Sequence, residues 1–297
     1  MTEQKQHKAG FVSIIGKPNV GKSTLMNALV GERLSIITSK AQTTRHRIFG
    51  IISGNDFQVV YSDTPGILKP QYELHKSMMD YVNSSLEDAD LVLFVTDLYE
   101  KIEPEDPALE RLRKANVPVI FVMNKIDLNK GSQADDKITY WLEHINPDKV
   151  IKVSALEKEN LEELFGSILE YLPEHPAYFP KEQITDRPER FFGAEIIREK
   201  IFLNYKKEVP YSCEVAITDF EEDDKIIRMR AEIYVERKSQ RAILIGHKGA
   251  AIKKVGIEAR KELEAFFMKQ VYLETYVKVS DDWRKKERSL KNFGYDR

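Results

Sequence analysis

Cysteine is nearly missing from this sequence: Cys213 stands alone among 297 residues. No disulfide can close within the chain, which excludes a disulfide-stapled scaffold and suits a reducing compartment. Its surroundings, "YSCEVAIT", place that cysteine on a strand facing a core. Long apolar runs are missing too. None approaches the ~18 residues a membrane span needs, and the opening "MTEQKQHKAG" has no apolar signal core. The expectation is a soluble protein, with any membrane attachment peripheral. Neither sign of charge dominates, since 46 Lys and Arg face 48 Asp and Glu for a net charge of -2. A nucleic-acid partner is therefore not announced by global charge, and any such surface must be local. Disorder is excluded by 42% apolar and 32% charged residues, the balance of a globular protein. There is no internal repeat.

What is present divides in two. From Phe11 to about Leu172, β-branched runs alternate with helical patterns. "FVSIIG", "FQVVYSD", "LVLFVTD", "VPVIFVMN" and "VIKVSA" read as strands, mostly apolar throughout as buried parallel strands are. The alternation predicts an α/β domain with a doubly wound, mostly parallel sheet over residues 1–172. It stops at Pro173, Pro176, Pro180 and Pro188, which resist helix and central strand. Residues 173–187 read as a linker. Residues 188–297 follow a different grammar: a helix through Ile196, Ile197 and Ile201, then a strand from Cys213 to Ile217. "IIRMRAEIYVE" alternates with period two, and a helix after Gly249 carries Ile252, Val255, Ala259, Leu263 and Phe266. A smaller α+β domain with a half-solvated sheet is expected, with "VYLETYVKV" as its last strand.

The stretch "GKPNVGKS", Gly16 to Ser23, matches G-x-x-x-x-G-K-[ST] between a predicted strand and a predicted helix. Glycines let successive backbone N–H groups of Asn19, Val20, Gly21, Lys22, Ser23 and Thr24 turn toward phosphate oxygens, with the helix dipole behind them. Lys22 reaches the β- and γ-phosphates, and the Ser23 hydroxyl goes to Mg²⁺. "DTPG" ends another strand, so Asp63 can hold Mg²⁺ through its water shell while Gly66 offers a backbone N–H to the γ-phosphate. "NKID" ends a third. The Asp127 carboxylate can accept both N1–H and the exocyclic amine of guanine, while Asn124 and Lys125 brace the loop and cover the base. Adenine lacks that donor pair, and a site built on such bonds discriminates by about 10⁴ to 10⁵. Ser154 and Ala155 follow a later strand and offer a backbone N–H to the base oxygen.

These four motifs, in this order, resemble the translation-factor class of GTPases. The class also carries a threonine that closes over Mg²⁺. "SKAQTTRHR" is the place for it, with Thr44 favoured by position and Thr43 the alternative. Lys22, Thr44 and Gly66 are thus the candidates for acting on the reacting phosphate. In Ras-like GTPases the residue after the DxxG glycine is a glutamine that orients the attacking water. Here it is Ile67, which cannot orient water by hydrogen bonding. This resembles the subclass with a hydrophobic residue at that point, and Asn19 is typical of members that K⁺ assists. The resemblance implies slow intrinsic turnover, accelerated by K⁺ or a partner.

A second glycine turn lies in "LIGHKGAAIKK", read as a strand-to-helix transition. It lacks the length of a nucleotide loop and has no Ser or Thr after its lysine. It matches the G-x-x-G clamp of a KH domain, which holds about four nucleotides of single-stranded nucleic acid. Gly246 and Gly249 admit a sugar-phosphate backbone, with His247 and Lys248 as contacts, Ile245 beside them, and Lys253 and Lys254 at the rim. In the tail, Trp283, Arg284, Lys285 and Lys286 interleave aromatic and basic character suited to stacking and phosphate contact. A solvated tail with one packed aromatic is the competing reading.

One such GTPase domain followed by a KH module resembles the bacterial Era family from end to end. "GKPNVGKSTLMN", "KAQTTRHRI", "DTPG", "NKID", "DRPERFFGAEIIREKI", "VPYS" and "IGHKG" carry the likeness. The resemblance implies a P-loop GTPase domain plus a type II KH domain, and GTP, GDP and Mg²⁺ as ligands. It also implies assembly of the 30S subunit through binding near the 3′ end of 16S ribosomal RNA. A cytoplasmic location with peripheral association at the inner membrane goes with it, and nothing argues against a monomer. The competitor is a signalling GTPase whose second domain is a protein adaptor. A nucleotide kinase leaves "NKID" without a role, and a tandem GTPase would need a second phosphate loop.

Overall fold

Five apolar runs of the first half, joined by a sixth strand, form one sheet in the computed structural model, which describes residues 7–100 and 107–295. The strands are β1 (Lys8–Ile15), β2 (Ile48–Ser53), β3 (Phe57–Asp63), β4 (Leu91–Asp97), β5 (Val119–Asn124) and β6 (Lys149–Lys152). Their order is β2-β3-β1-β4-β5-β6, parallel except for β2 against β3. Every residue of β4 is buried, as expected of a central strand covered on both faces. Helices α1 (Lys22–Val30), α2 (Glu73–Glu87), α3 (Pro107–Lys114), α4 (Gln133–Leu142) and α5 (Leu161–Tyr171) alternate with the strands. The outcome is the expected doubly wound α/β fold. Strand β2 was not among the runs singled out by composition, because "IFGIIS" is short and interrupted by Gly50.

Ligands in such sheets gather beyond the carboxyl ends of the strands. β1 runs into the phosphate loop, β3 ends on Asp63 and β5 ends on Asn124, so three motifs reach one edge.

Residues 173–186, read as a linker, stay with this first unit. Ala9 N–H donates to Pro173 O at 3.1 Å and Ile51 N–H to Ile184 O at 2.9 Å. Phe49 N–H donates to Asp186 Oδ1 at 3.0 Å. The segment thereby covers part of the open edge of β2, where unpaired donors would otherwise invite another strand. Prolines keep it extended without withdrawing those bonds.

The second unit comprises Ile36–Thr43, Gln71–Ser77 and Arg187–Arg297. It contains α6 (Glu189–Asn204), α7 (Val209–Ser212), β7 (Glu214–Glu222), β8 (Ile226–Val235), α8 (Lys238–Ile245), α9 (Ala250–Phe267), β9 (Gln270–Val279) and α10 (Glu287–Asn292). Its sheet runs β7-β8-β9, antiparallel then parallel. Ile227, Met229, Ala231, Ile233 and Val235 are all buried against Ile197, Ile201, Val255, Ala259 and Leu263, as the period-two pattern requires.

The element before the second glycine turn differs from expectation. It is the helix α8, so the turn joins helix to helix. Gln240 explains the start: its side-chain oxygen accepts the Glu236 and Arg237 N–H groups, both at 3.0 Å, satisfying donors that open a helix. "RAILI" alone, at five residues, cannot distinguish strand from helix. Among the described residues, no helix is long and apolar enough to cross a membrane.

Candidate functional site

Gly21 sets the geometry of the phosphate loop. Its φ is 97°, and a Cβ there would lie 2.3 Å from Asn124 Nδ2. Glycine is required on both counts. The close approach lets Asn124 donate to Val20 O at 2.9 Å and accept from Ala155 N–H at 3.0 Å. One buried amide thus ties the phosphate loop, "NKID" and the "SA" turn together.

Lys22 is buried at the first turn of α1, its ammonium donating to Lys17 O at 2.9 Å. Burial pushes it down to about 8, against the opposing pull of Asp63 and Glu100. A polyanion at this point favours the charged form again. Ser23 Oγ donates to Asp63 Oδ2 at 2.7 Å and lies 2.9 Å from Thr44 Oγ1, while Thr44 reaches Asp63 at 3.5 Å. These three predicted metal ligands are gathered at one point. Thr43 is turned elsewhere, with its hydroxyl on Thr38 Oγ1 and Lys40 O, both at 2.7 Å. Asp63 is fully buried, and its Oδ1 has no hydrogen-bond partner. Burial pushes this carboxyl up, while the Ser23 hydroxyl and Lys22 pull it down. A buried, half-satisfied carboxylate beside two hydroxyls fits a hard cation with oxygen ligands, as Mg²⁺ is. Thr24 occupies the first turn of α1 and is half-buried.

On the DxxG side, Ile67 N–H donates to Gly16 O at 3.0 Å, which holds "DTPG" against the phosphate loop beside Gly66. Ile67 itself is buried. In the "NKID" loop, Ser154 Oγ donates to Asp127 Oδ1 at 2.6 Å and orients the carboxylate expected from the sequence to read guanine. The N–H groups of Ser154 and Ala155, expected to face the base oxygen, are committed to Glu159 O and Asn124 Oδ1. They brace the loop here. Lys125 donates to Asn19 O at 2.7 Å and to Asp97 Oδ2 at 2.6 Å. Asp97 was not singled out from sequence. Its signal was available: a charged residue closing the otherwise apolar "LVLFVTD", at the sheet edge where ligands gather.

In the second unit, the turn His247–Gly249 leaves His247 and Lys248 exposed, with Ile245 and Gly246 half-buried. Gly246 (φ 73°) and Gly249 (φ 79°) flank Lys248, itself left-handed at φ 48°. Side chains rarely adopt such a run. Lys253 and Lys254 are exposed on the first turns of α9. The turn and the start of α9 thus carry three exposed lysines.

The tail corrects an expectation. Trp283 is fully buried, its indole N–H donating to Ser212 O at 2.8 Å, so its ring cannot stack on bases. Phe293 packs on it with centroids 5.3 Å apart, and buried Tyr295 donates to Glu214 Oε2 at 2.7 Å. These aromatics close the core of the unit. Arg284 is likewise drawn inward, paired with Glu236 and lying over the Tyr72 ring at 4.9 Å. Lys285 and Lys286 remain exposed.

Comparison with known proteins agrees with both halves of this geometry. The family model described as a 50S ribosome-binding GTPase matches residues 11–125, and that of the KH domain matches residues 208–284. GTPase Era of Geotalea daltonii is 44% identical over 298 residues, covering 100% of each chain. GTPase Era of Clostridium kluyveri is 42% identical over 290 residues, covering 97% of this chain and 99% of its own. A solved structure of Era in complex with MgGDPNP and nucleotides 1506–1542 of 16S ribosomal RNA shares 40% identity. Its TM-score is 0.93, covering 98% of this chain and 100% of that one.

Proposed function

This chain belongs to the Era family of GTPases, and from that premise we propose that it binds single-stranded RNA at the 3′ end of 16S ribosomal RNA and acts in 30S subunit maturation. As a member of that family it converts GTP and water to GDP and phosphate. Phosphates lie against the loop and the N-terminus of α1, where backbone N–H groups and Lys22 oppose their charge. Ser23, Thr44 and Asp63 would hold Mg²⁺, which neutralises charge on the β- and γ-phosphates when bound. Asp127, oriented by Ser154, selects guanine. Ile67 is buried and carries no polar atom on its side chain, so turnover without assistance is slow.

K⁺ near Asn19 supplies part of the missing assistance in this reading. Turnover is expected to be several-fold faster in K⁺ than in Na⁺ at equal ionic strength. Equal rates would remove the potassium part of the proposal.

The observation that carries the RNA half is the exposed glycine turn with His247 and Lys248 at its tip. It supports a clamp on a sugar-phosphate backbone, of the kind KH domains use. The test is Gly249→Asp, which places a carboxylate where phosphate approaches. A Cβ at Gly249 meets nothing within 4 Å, and Asp tolerates positive φ better than most residues. Binding of a short single-stranded RNA from the small-subunit 3′ end should fall at least tenfold, with GDP affinity unchanged. Undiminished RNA binding would leave a protein-adaptor role for the second unit as the better reading.

A further inference from the structure

We infer that Asp97 is a positioning residue for guanine-nucleotide binding, acting through Lys125. Strand β4 ends on Asp97, and the chain turns sharply there. Asp97 Oδ1 accepts the backbone N–H groups of Tyr99 and Glu100, both at 2.9 Å. That leaves Oδ2 for Lys125, whose ammonium sits at 2.6 Å and also donates to Asn19 O at 2.7 Å. The Asp97 side chain is 9% exposed and that of Lys125 31%. A lysine in the base-binding loop is therefore stretched between two fixed acceptors, one on the phosphate loop and one on β4.

The consequence is preorganisation. A free lysine side chain samples many rotamers, and freezing it on binding weakens affinity. Here the ammonium is already seated, so the aliphatic stem lies in place to cover the base before nucleotide arrives. The turn after β4 also reaches the phosphate loop by a second route. Glu100 accepts from Thr96 Oγ1 at 2.6 Å and lies 3.7 Å from the Lys17 ammonium. The two acidic side chains thus attach one turn to both the base loop and the phosphate loop.

A purely structural reading gives Asp97 only the two N–H groups of its turn. The variant Asp97→Asn separates the readings, because the amide oxygen still accepts from Tyr99 and Glu100 while the charge facing Lys125 is gone. Release of a fluorescent GDP from the full chain would be followed in wild type, Asp97→Asn, Lys125→Met and the double variant. Asp97→Asn is expected to speed release of GDP and GTP alike by about tenfold, as for one charged hydrogen bond. KM for GTP rises in step, and kcat stays within about twofold. In the Lys125→Met background the Asp97→Asn change should have no further effect. Wild-type release from Asp97→Asn overturns the inference. So does a loss in the double variant equal to the sum of the single ones, which would assign the effect to the turn. Thermal melting of the nucleotide-free variants checks folding. If Asp97→Asn is not folded, Asp97→Ser, which keeps an oxygen acceptor, takes its place in the same cycle.

Discussion

Thr43 and Thr44 are neighbours of identical chemistry, and their hydrogen bonds tell them apart. Thr44 points at Ser23 and Asp63, whereas Thr43 closes a bond with Thr38. Thr44→Ala should therefore weaken Mg²⁺ in the GTP-bound state by at least about tenfold, while Thr43→Ala stays within about twofold. Titrating Mg²⁺ against GTP hydrolysis in both variants checks this, and equal losses would refute the assignment. The candidates of "GKPNVGKS", "DTPG" and "NKID" were legible because each motif carries its chemistry in adjacent residues. The threonine was legible only as Thr44 favoured over Thr43, since one residue of loop register moves a side chain to the opposite side; the geometry agrees with the favoured one. Asp97 was legible as a charged residue closing an apolar strand, but its partner was not, since Lys125 lies 28 residues along the chain.

Among the elements, the segment 173–186 shows how a proline-rich stretch becomes ordered without being helix or strand. Gln58, fully buried on β3, holds it. Its Oε1 accepts the Tyr178 and Phe179 N–H groups at 2.7 and 2.9 Å, and its Nε2 donates to Phe179 O at 2.8 Å and Ser53 Oγ at 3.0 Å. All four bonds vanish in Gln58→Leu, leaving the part-buried backbone groups of Tyr178 and Phe179 without these partners. That variant should lose about 2–4 kcal/mol, seen as a lower urea midpoint at nearly unchanged slope. A loss below about 0.5 kcal/mol would show that the segment is held by other contacts. Periodicity located most strands and the helices α1, α5, α6 and α9, while the 15-residue α2 was not singled out. It missed β2 and α8, because runs of six to eight residues give too few repeats for a period to show.

At the scale of the whole molecule, the two units each contain one tryptophan, Trp141 and Trp283, and both are fully buried. Each is a private reporter of its own core. In the Trp283→Phe variant, fluorescence follows Trp141 alone. Saturating MgGDP at about 100 times its Kd should stabilise that transition by about 2.7 kcal/mol. An unmoved Trp141 transition would mean that nucleotide does not bind the first unit. The division itself was legible only in outline. Residues 36–43 and 71–77 come from the nucleotide-binding half of the sequence, yet they pack in the second unit. There Arg198, buried on α6, donates to Thr43 O at 2.5 Å, and Ile37 N–H donates to Glu199 Oε1 at 3.3 Å. Helix α6 buries Glu195, Arg198, Glu199 and Lys200, and such groups need polar partners that no local pattern reveals.

By itself, the sequence determined where the motifs lie and what chemistry each can offer a ligand. Phosphate loop, guanine-reading carboxylate and G-x-x-G turn each depend on backbone conformation and side chains within a few residues, so composition and spacing suffice. Tertiary structure alone decided the partners of the remaining side chains. It brought Thr44, already favoured by position, onto Ser23 and Asp63, seated Lys125 on Asp97, and turned Trp283 from a candidate base platform into core. Such choices rest on contacts between residues distant in the chain, where burial sets what each polar atom must find.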